Sequence, residues 1–164
     1  MEVPGEDALE VIVGKLLEQR GLTLAVAESC TGGLVGHRLT NVPGSSAYYE
    51  GSVTAYSNAA KELILRVQHE TLRRYGAVSE QAAQEMAWGV RTLFGVDIGS
   101  SVTGIAGPGG GTPEKPVGLV YVALAAHDGK WVERHLGGGS RWVNKERAAE
   151  AVLELLLRYL DGRL

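Results

Sequence analysis

The sequence predicts an α/β domain: a three-layer α/β/α sandwich on a mixed sheet of about five strands, with an antiparallel hairpin at one edge. Three observations predict it. Amphipathic helical runs alternate with short apolar runs of strand length. Glycine-bearing loops follow two of those runs and lead into helices or further strands. Near the C-terminal third, Asp128-Gly129 stands between two β-rich runs, a strong hairpin signal.

The elements follow in order. Residues 6–20 carry Leu9, Ile12, Val13, Leu16 and Leu17 at helical spacing, with Gly21 as a C-cap. Leu22 to Ala27 suits a buried strand, and Leu34 to Leu39 starts a helix after the loop 29–33. Residues 52–57 read as a second strand, and Asn58 as the N-cap of a helix through Arg66. A short helix spans His69 to Tyr75, and Ser79 opens a long one to about Phe94. A third strand covers Ile98 to Ile105. Residues 117–126 and 131–136 form the hairpin, and 142–160 a closing amphipathic helix. No internal repeat and no linker interrupts this order, so residues 1–164 read as a single domain.

Composition narrows the function classes. Hydrophobic residues make up 45%, enough for one core and too many for disorder. A net charge of −3 argues against a nucleic-acid partner. No run approaches the ~18 apolar residues of a membrane span, and the first residues show neither the basic nor the apolar part of a secretory signal. A cytoplasmic protein is the expectation, with no membrane partner. The single cysteine, Cys30, forms no intrachain disulfide. The four histidines lack metal-ligand spacing, so no metal site is expected. Glycine is abundant: 23 residues, clustered at 32–33, 107–111 and 137–139. Such clusters mark backbone that turns sharply or approaches a ligand closely.

Four segments have chemical potential. Glu28-Ser29-Cys30-Thr31-Gly32-Gly33 precedes a helix, where free N–H groups favour an anion; an N-cap with a tight turn explains it equally well. Gly44-Ser45-Ser46 with Tyr56-Ser57-Asn58 and Lys61 offers a serine and a lysine, a pair that makes a nucleophile without histidine if burial lowers the amine's pKa. Capping serines and a surface lysine are the plain alternative. The run Thr103 to Gly111, followed by Lys115-Pro116-Val117-Gly118, can close over a ligand or simply be long. Arg141, after Gly137-Gly138-Gly139-Ser140, suits phosphate or carboxylate, or plain solvent.

Together these segments resemble the CinA C-terminal domain family, the bacterial nicotinamide mononucleotide deamidases. The likeness rests on Ala27 to Gly33, Gly44-Ser45-Ser46, Tyr56 to Lys61, Gly76-Ala77-Val78-Ser79-Glu80, Gly104 to Pro108 and Lys115 to Gly118, in that order. It implies hydrolysis of the carboxamide of nicotinamide mononucleotide to nicotinate mononucleotide and ammonia, in pyridine nucleotide recycling. It implies a Ser/Lys mechanism with no cofactor and no metal, a pyridine nucleotide as small-molecule partner, self-association into a homo-oligomer, and the stand-alone form without the additional N-terminal domain of longer relatives. Two positions depart from the family pattern: Ala55 stands where Thr is frequent, and Asn144 and Lys145 where a second arginine is usual.

On this reading Ser46 is the expected nucleophile and Lys61 its base, with Ser29 as the rival because it too follows a strand on a sharp loop. Ser29 and Thr31 hydroxyls or backbone amides hold the oxyanion, and Tyr56 and Asn58 orient lysine and substrate. Thr31, Gly32, Gly33, Gly107 and Arg141 are the expected substrate contacts. Two alternatives stay open: a non-catalytic nucleotide-binding or regulatory module linked to competence or DNA damage, and a hydrolase of another small amide.

Overall fold

The computed structural model describes residues 4–164; the first three residues, part of the segment read above for a leader, lie outside it. Five strands form one sheet: β1 (Leu24–Glu28), β2 (Tyr49–Thr54), β3 (Ile98–Gly104), β4 (Leu119–Ala126) and β5 (Gly129–Leu136). Six α-helices accompany them: α1 (Leu9–Arg20), α2 (Leu34–Thr40), α3 (Asn58–Leu65), α4 (His69–Tyr75), α5 (Glu80–Phe94) and α6 (Arg141–Leu160). A short 3-10 turn covers Ser45–Ala47.

The strand order is β2-β1-β3-β4-β5. β1 pairs in parallel with both β2 and β3, while β3–β4 and β4–β5 are antiparallel. The expected mixed sheet with a hairpin edge is therefore present. From β1 the chain passes through α2 to β2 on one side, and through α3, α4 and α5 to β3 on the other. That reversal makes the carboxyl end of β1 a topological switch point, where open α/β sheets form their crevice.

The two faces of the sheet are packed differently. Leu24 and Val26 of β1 join Val102, Val122 and Leu124 against α1, α2 and α6. The opposite face is paved with small residues: Ala25, Ala27, Ala123 and Ala125 meet Ala83, Met86 and Ala87 of α5. Small side chains let α5 lie almost on the strands. A Cβ on Gly99 would collide with the Ala87 carbonyl, and one on Gly89 with the Leu65 carbonyl, so α5 is pressed against both β3 and α3. Ser101 Oγ reaches across to donate to the Ala83 carbonyl at 2.6 Å.

Several boundaries differ from the sequence reading, each for a local reason. β2 ends at Thr54 rather than Ser57, because the Ala55 and Tyr56 carbonyls turn toward Lys61. Ser57, not Asn58, caps α3: its side chain accepts from the Ala60 N–H. The hairpin is tighter than expected, since Gly129 already pairs with Ala126 and only His127 and Asp128 form the turn. No helix among the described residues is long and apolar enough to cross a membrane.

The close α3–α5 contact predicts a specific asymmetry among glycines. Gly89→Ala should destabilise the fold by about 2–3 kcal/mol, because the atoms in the way belong to backbone. Gly138→Ala, with nothing near its Cβ position, should leave the urea midpoint almost unchanged. Equal midpoints for the two variants would contradict the packing described.

Candidate active site

The turn after β1 builds the core of the site. Residues 28 and 29 point to opposite sides of the sheet, as strand alternation requires. Glu28, wholly buried, reaches toward α2 on the face of Leu24 and Val26. Its carboxylate accepts from the Thr31 hydroxyl (2.6 Å) and from the N–H groups of Gly33 (3.0 Å), Val35 (3.1 Å) and Gly36 (2.8 Å). Gly32 and Gly33 have φ of 63° and 102°, left-handed values that favour glycine, and so allow the chain to fold over that carboxylate. Ser29 faces the other way; its N–H donates to the Val102 carbonyl.

Lys61 meets Ser29 from below. It lies on the first turn of α3, 1% exposed, and is the largest fully buried side chain. Its amine is 2.9 Å from Ser29 Oγ, 2.9 Å from the Ala55 carbonyl oxygen and 3.5 Å from that of Tyr56. No carboxylate touches it. Burial therefore holds its pKa below the usual lysine value. The amine donates to both carbonyls and to Ser29 Oγ; once deprotonated, it can keep the two carbonyl contacts and turn its lone pair to the serine hydroxyl.

Ser29 and Lys61 lie on the wall of a cavity of about 270 Å³ with Tyr56, Asn58, Thr103 and the loop Gly104 to Gly110. No acidic side chain lines it. Arg141, the first residue of α6, closes one side by donating to the Gly107 carbonyl (2.7 Å) and the Tyr56 hydroxyl (2.9 Å). A second cation, Lys145, projects one turn further along α6 and passes over Gly32. It has no ion-pair partner among the described residues. The larger groove between α3 and α5, about 800 Å³, contains no serine or cysteine.

The structure gathers Ser29, Lys61, Tyr56, Asn58, Gly107 and Arg141 around one cavity, and separates Ser46 from them. Ser46 sits exposed in the 3-10 turn before the amino end of β2, while Lys61 lies under its carboxyl end. Six strand residues intervene, roughly 20 Å at the usual rise. The expectation that Ser46 stands beside Lys61 is thus corrected: the hydroxyl there is that of Ser29. The loop expected to cradle an anion is corrected too. The Thr31 hydroxyl and the Gly33 N–H already serve Glu28, and neither residue, nor Gly32, lines the cavity.

The sequence marks Thr103 only as the first residue of a glycine-rich run, and Asn144 only as a departure from the family pattern. Thr103 is buried in the cavity wall and donates to the Ala77 carbonyl at 2.8 Å. Its signal was present: hydroxyl residues at 100, 101 and 103 interrupt an otherwise apolar strand. Asn144 is buried and holds the loop by donating to the Ala106 and Gly139 carbonyls. Cys30 also lines the cavity, but burial pushes its thiol up to about 12, so it stays protonated. No histidine reaches the cavity, and no cluster of three or more potential metal ligands occurs among the described residues.

Comparison with known proteins bears on the family and the fold. The family model for the CinA C-terminal domain matches residues 6–160. A CinA-like protein of Desulfotalea psychrophila is 50% identical over 154 residues, covering 94% of this chain and 37% of its own length. A CinA-like protein of Salinibacter ruber is 51% identical over 157 residues, with 96% and 38% covered. The chain thus spans less than two fifths of these curated relatives. Among solved structures, a CinA superfamily protein from Klebsiella pneumoniae superposes with a TM-score of 0.91 at 34% identity, covering 94% of this chain and 96% of that one. A competence/damage inducible protein from Agrobacterium tumefaciens gives 0.87 at 39%, with 98% and 99% covered.

The buried amine predicts a pH signature in stability. Lys61 in the folded chain releases its proton below the ordinary value of 10.5 that it keeps when unfolded. Between those two values the unfolded chain binds more protons, so folding stability rises with pH through that window. Lys61→Met removes this dependence. The stability of the parent chain relative to Lys61→Met, measured by urea unfolding, should therefore increase from neutral pH toward pH ~10. A flat difference would mean that the amine is not desolvated.

Proposed function

The chain belongs to the CinA C-terminal domain family, and on that premise we propose that it is an amidohydrolase that deamidates nicotinamide mononucleotide, with Ser29 as nucleophile and Lys61 as its base. The observation that carries this reading is the 2.9 Å approach of the Lys61 amine to Ser29 Oγ, with no carboxylate near the amine. A buried lysine held by two carbonyls has little reason to exist as a structural ion pair. It is well suited to exchange a proton with the one hydroxyl it touches.

The reaction runs in two halves. Neutral Lys61 takes the Ser29 proton as Oγ adds to the carboxamide carbon. The oxyanion falls to the N–H of Cys30, which lines the cavity, directly follows the nucleophile and has no acceptor among the described residues. The carboxamide nitrogen is a poor leaving group until it is protonated; Lys61, now charged, supplies that proton and ammonia departs. The nicotinoyl ester of Ser29 is then attacked by water, with Lys61 again as base. Nicotinate mononucleotide leaves and Ser29 is restored.

Charge supports an anionic substrate. The cavity has no acid to repel phosphate, and Arg141 stands at its rim with Lys145 one helical turn away. Both project from the start of α6, whose N-terminal dipole adds to their field. Tyr56, 61% exposed but tied to Arg141, can cover a ring entering between them.

Ammonia release from nicotinamide mononucleotide tests the reading directly. Ser29→Ala should lower kcat by about a thousandfold or more, and Ser46→Ala should leave it near the parent value. Hydroxylamine should divert the ester to the hydroxamate. Arg141→Ala should raise KM more than it lowers kcat. The acid limb of the kcat/KM profile should lie below the ordinary lysine range, in the direction that burial sets for Lys61. Normal turnover by Ser29→Ala, or no ammonia from the parent chain, would refute the proposal.

A further inference from the structure

Glu28 carries a charge that the proposed chemistry does not use. It is wholly buried at the end of β1 and has no cation beside it, yet four donors converge on its carboxylate. One oxygen receives the Thr31 hydroxyl and the N–H groups of Gly33 and Val35; the other receives the N–H of Gly36. All four donors belong to the turn 29–33 and the first residues of α2. A buried carboxylate survives only where donors and dipoles replace water, and here the start of α2 does so.

Adjacency gives this arrangement a consequence. Glu28 and Ser29 are consecutive, so strand alternation sends one side chain to α2 and the other to Lys61. Anchoring Glu28 on one side of the sheet fixes the backbone from which Ser29 Oγ projects on the other. The same anchor fixes the Cys30 and Thr31 amides, because the turn between them and α2 is drawn around the carboxylate. We propose that Glu28 is a positioning residue: its carboxylate, engaged by four donors, holds the 29–33 turn and thereby aims Ser29 Oγ and the Cys30 amide into the cavity. The proposal rests on Ser29 being the nucleophile. It also accounts for why the turn offers no cradle for a substrate phosphate, since the Thr31 hydroxyl and the Gly33 N–H are already engaged.

Glu28→Gln in the full chain tests this, because glutamine is isosteric but presents an NH₂ group to one of the donors. The readout is covalent labelling of Ser29 by a fluorophosphonate, which needs a poised serine but no particular substrate. Labelling amplitude counts folded sites, and its rate reports how Ser29 is aimed. Glu28→Gln should keep its amplitude while its labelling rate falls at least about tenfold, since displacements near 1 Å at a reacting centre have effects of that order or larger. With nicotinamide mononucleotide, kcat should fall in parallel, KM should hold, and the acid limb set by Lys61 should not move.

A parent-like labelling rate in Glu28→Gln overturns the proposal, as does a loss confined to amplitude, which would mark a purely structural role. If Glu28→Gln does not fold, Thr31→Val removes one donor only; a clear fall in rate per labelled site supports the proposal and an unchanged rate overturns it. A parent chain labelled at Ser29 that releases no ammonia refutes the substrate reading and leaves these labelling rates to decide the role of Glu28. A parent chain that releases ammonia with Ser29 unlabelled overturns the role of Glu28.

Discussion

A buried ammonium without a carboxylate partner is the constraint around which this site is organised. Transferring a charged amine out of water is unfavourable by several kcal/mol unless something replaces the solvent. At Lys61 the replacements are two carbonyl dipoles and one hydroxyl, all neutral. Burial therefore lets the amine release its proton more readily than a lysine in water does, at the position where β1 ends. The local structure follows from this. β2 breaks off at Thr54 so that its next two carbonyls can turn inward, and Ser57 then caps α3 to bring Lys61 under the sheet.

The sheet topology decides which serine meets that amine. β1 lies between two parallel partners, so loops from β1, β2 and β3 all open at one end of the sheet. Ser29, Tyr56 and Ile105 each follow one of these strands, and α6 brings Arg141 to the same end. Ser46 precedes its strand and so lies at the other end. A serine-lysine pair separated by 15 residues looks close in sequence, whereas one separated by 32 does not, yet the second pair is the one in contact.

That contrast shows what was legible in the sequence. Periodicity and turn chemistry placed the helices and strands to within a few residues, and the residue types of the site were recognisable. The assignment of Ser46 failed because nothing local states which end of a strand a residue occupies once the sheet is assembled. The carboxyl-end rule for α/β crevices would have favoured Ser29 over Ser46, had the parallel order of β1 and β2 been inferred first. The role of Glu28 was hidden for a different reason. A glutamate before a glycine-bearing turn suggests a solvated acid or a ligand, and only the fold shows that it bonds forward to residues five, seven and eight positions ahead.

The two helix starts near the site illustrate how similar local chemistry can be put to opposite uses. α2 begins beside Ser29, and its first amides are engaged by an acid from the same chain. α6 begins across the cavity and presents cations instead, Arg141 directed at the rim and Lys145 beyond it. If both starts were open, a phosphate could bind on either side of the serine, and only one placement would bring a carboxamide to Oγ. With α2 closed from within, the donors at its start are not free for a phosphate, and the unpaired cations near the cavity come from α6. On the proposed reading, that asymmetry gives the nucleotide its direction: phosphate toward α6, carboxamide toward the turn after β1.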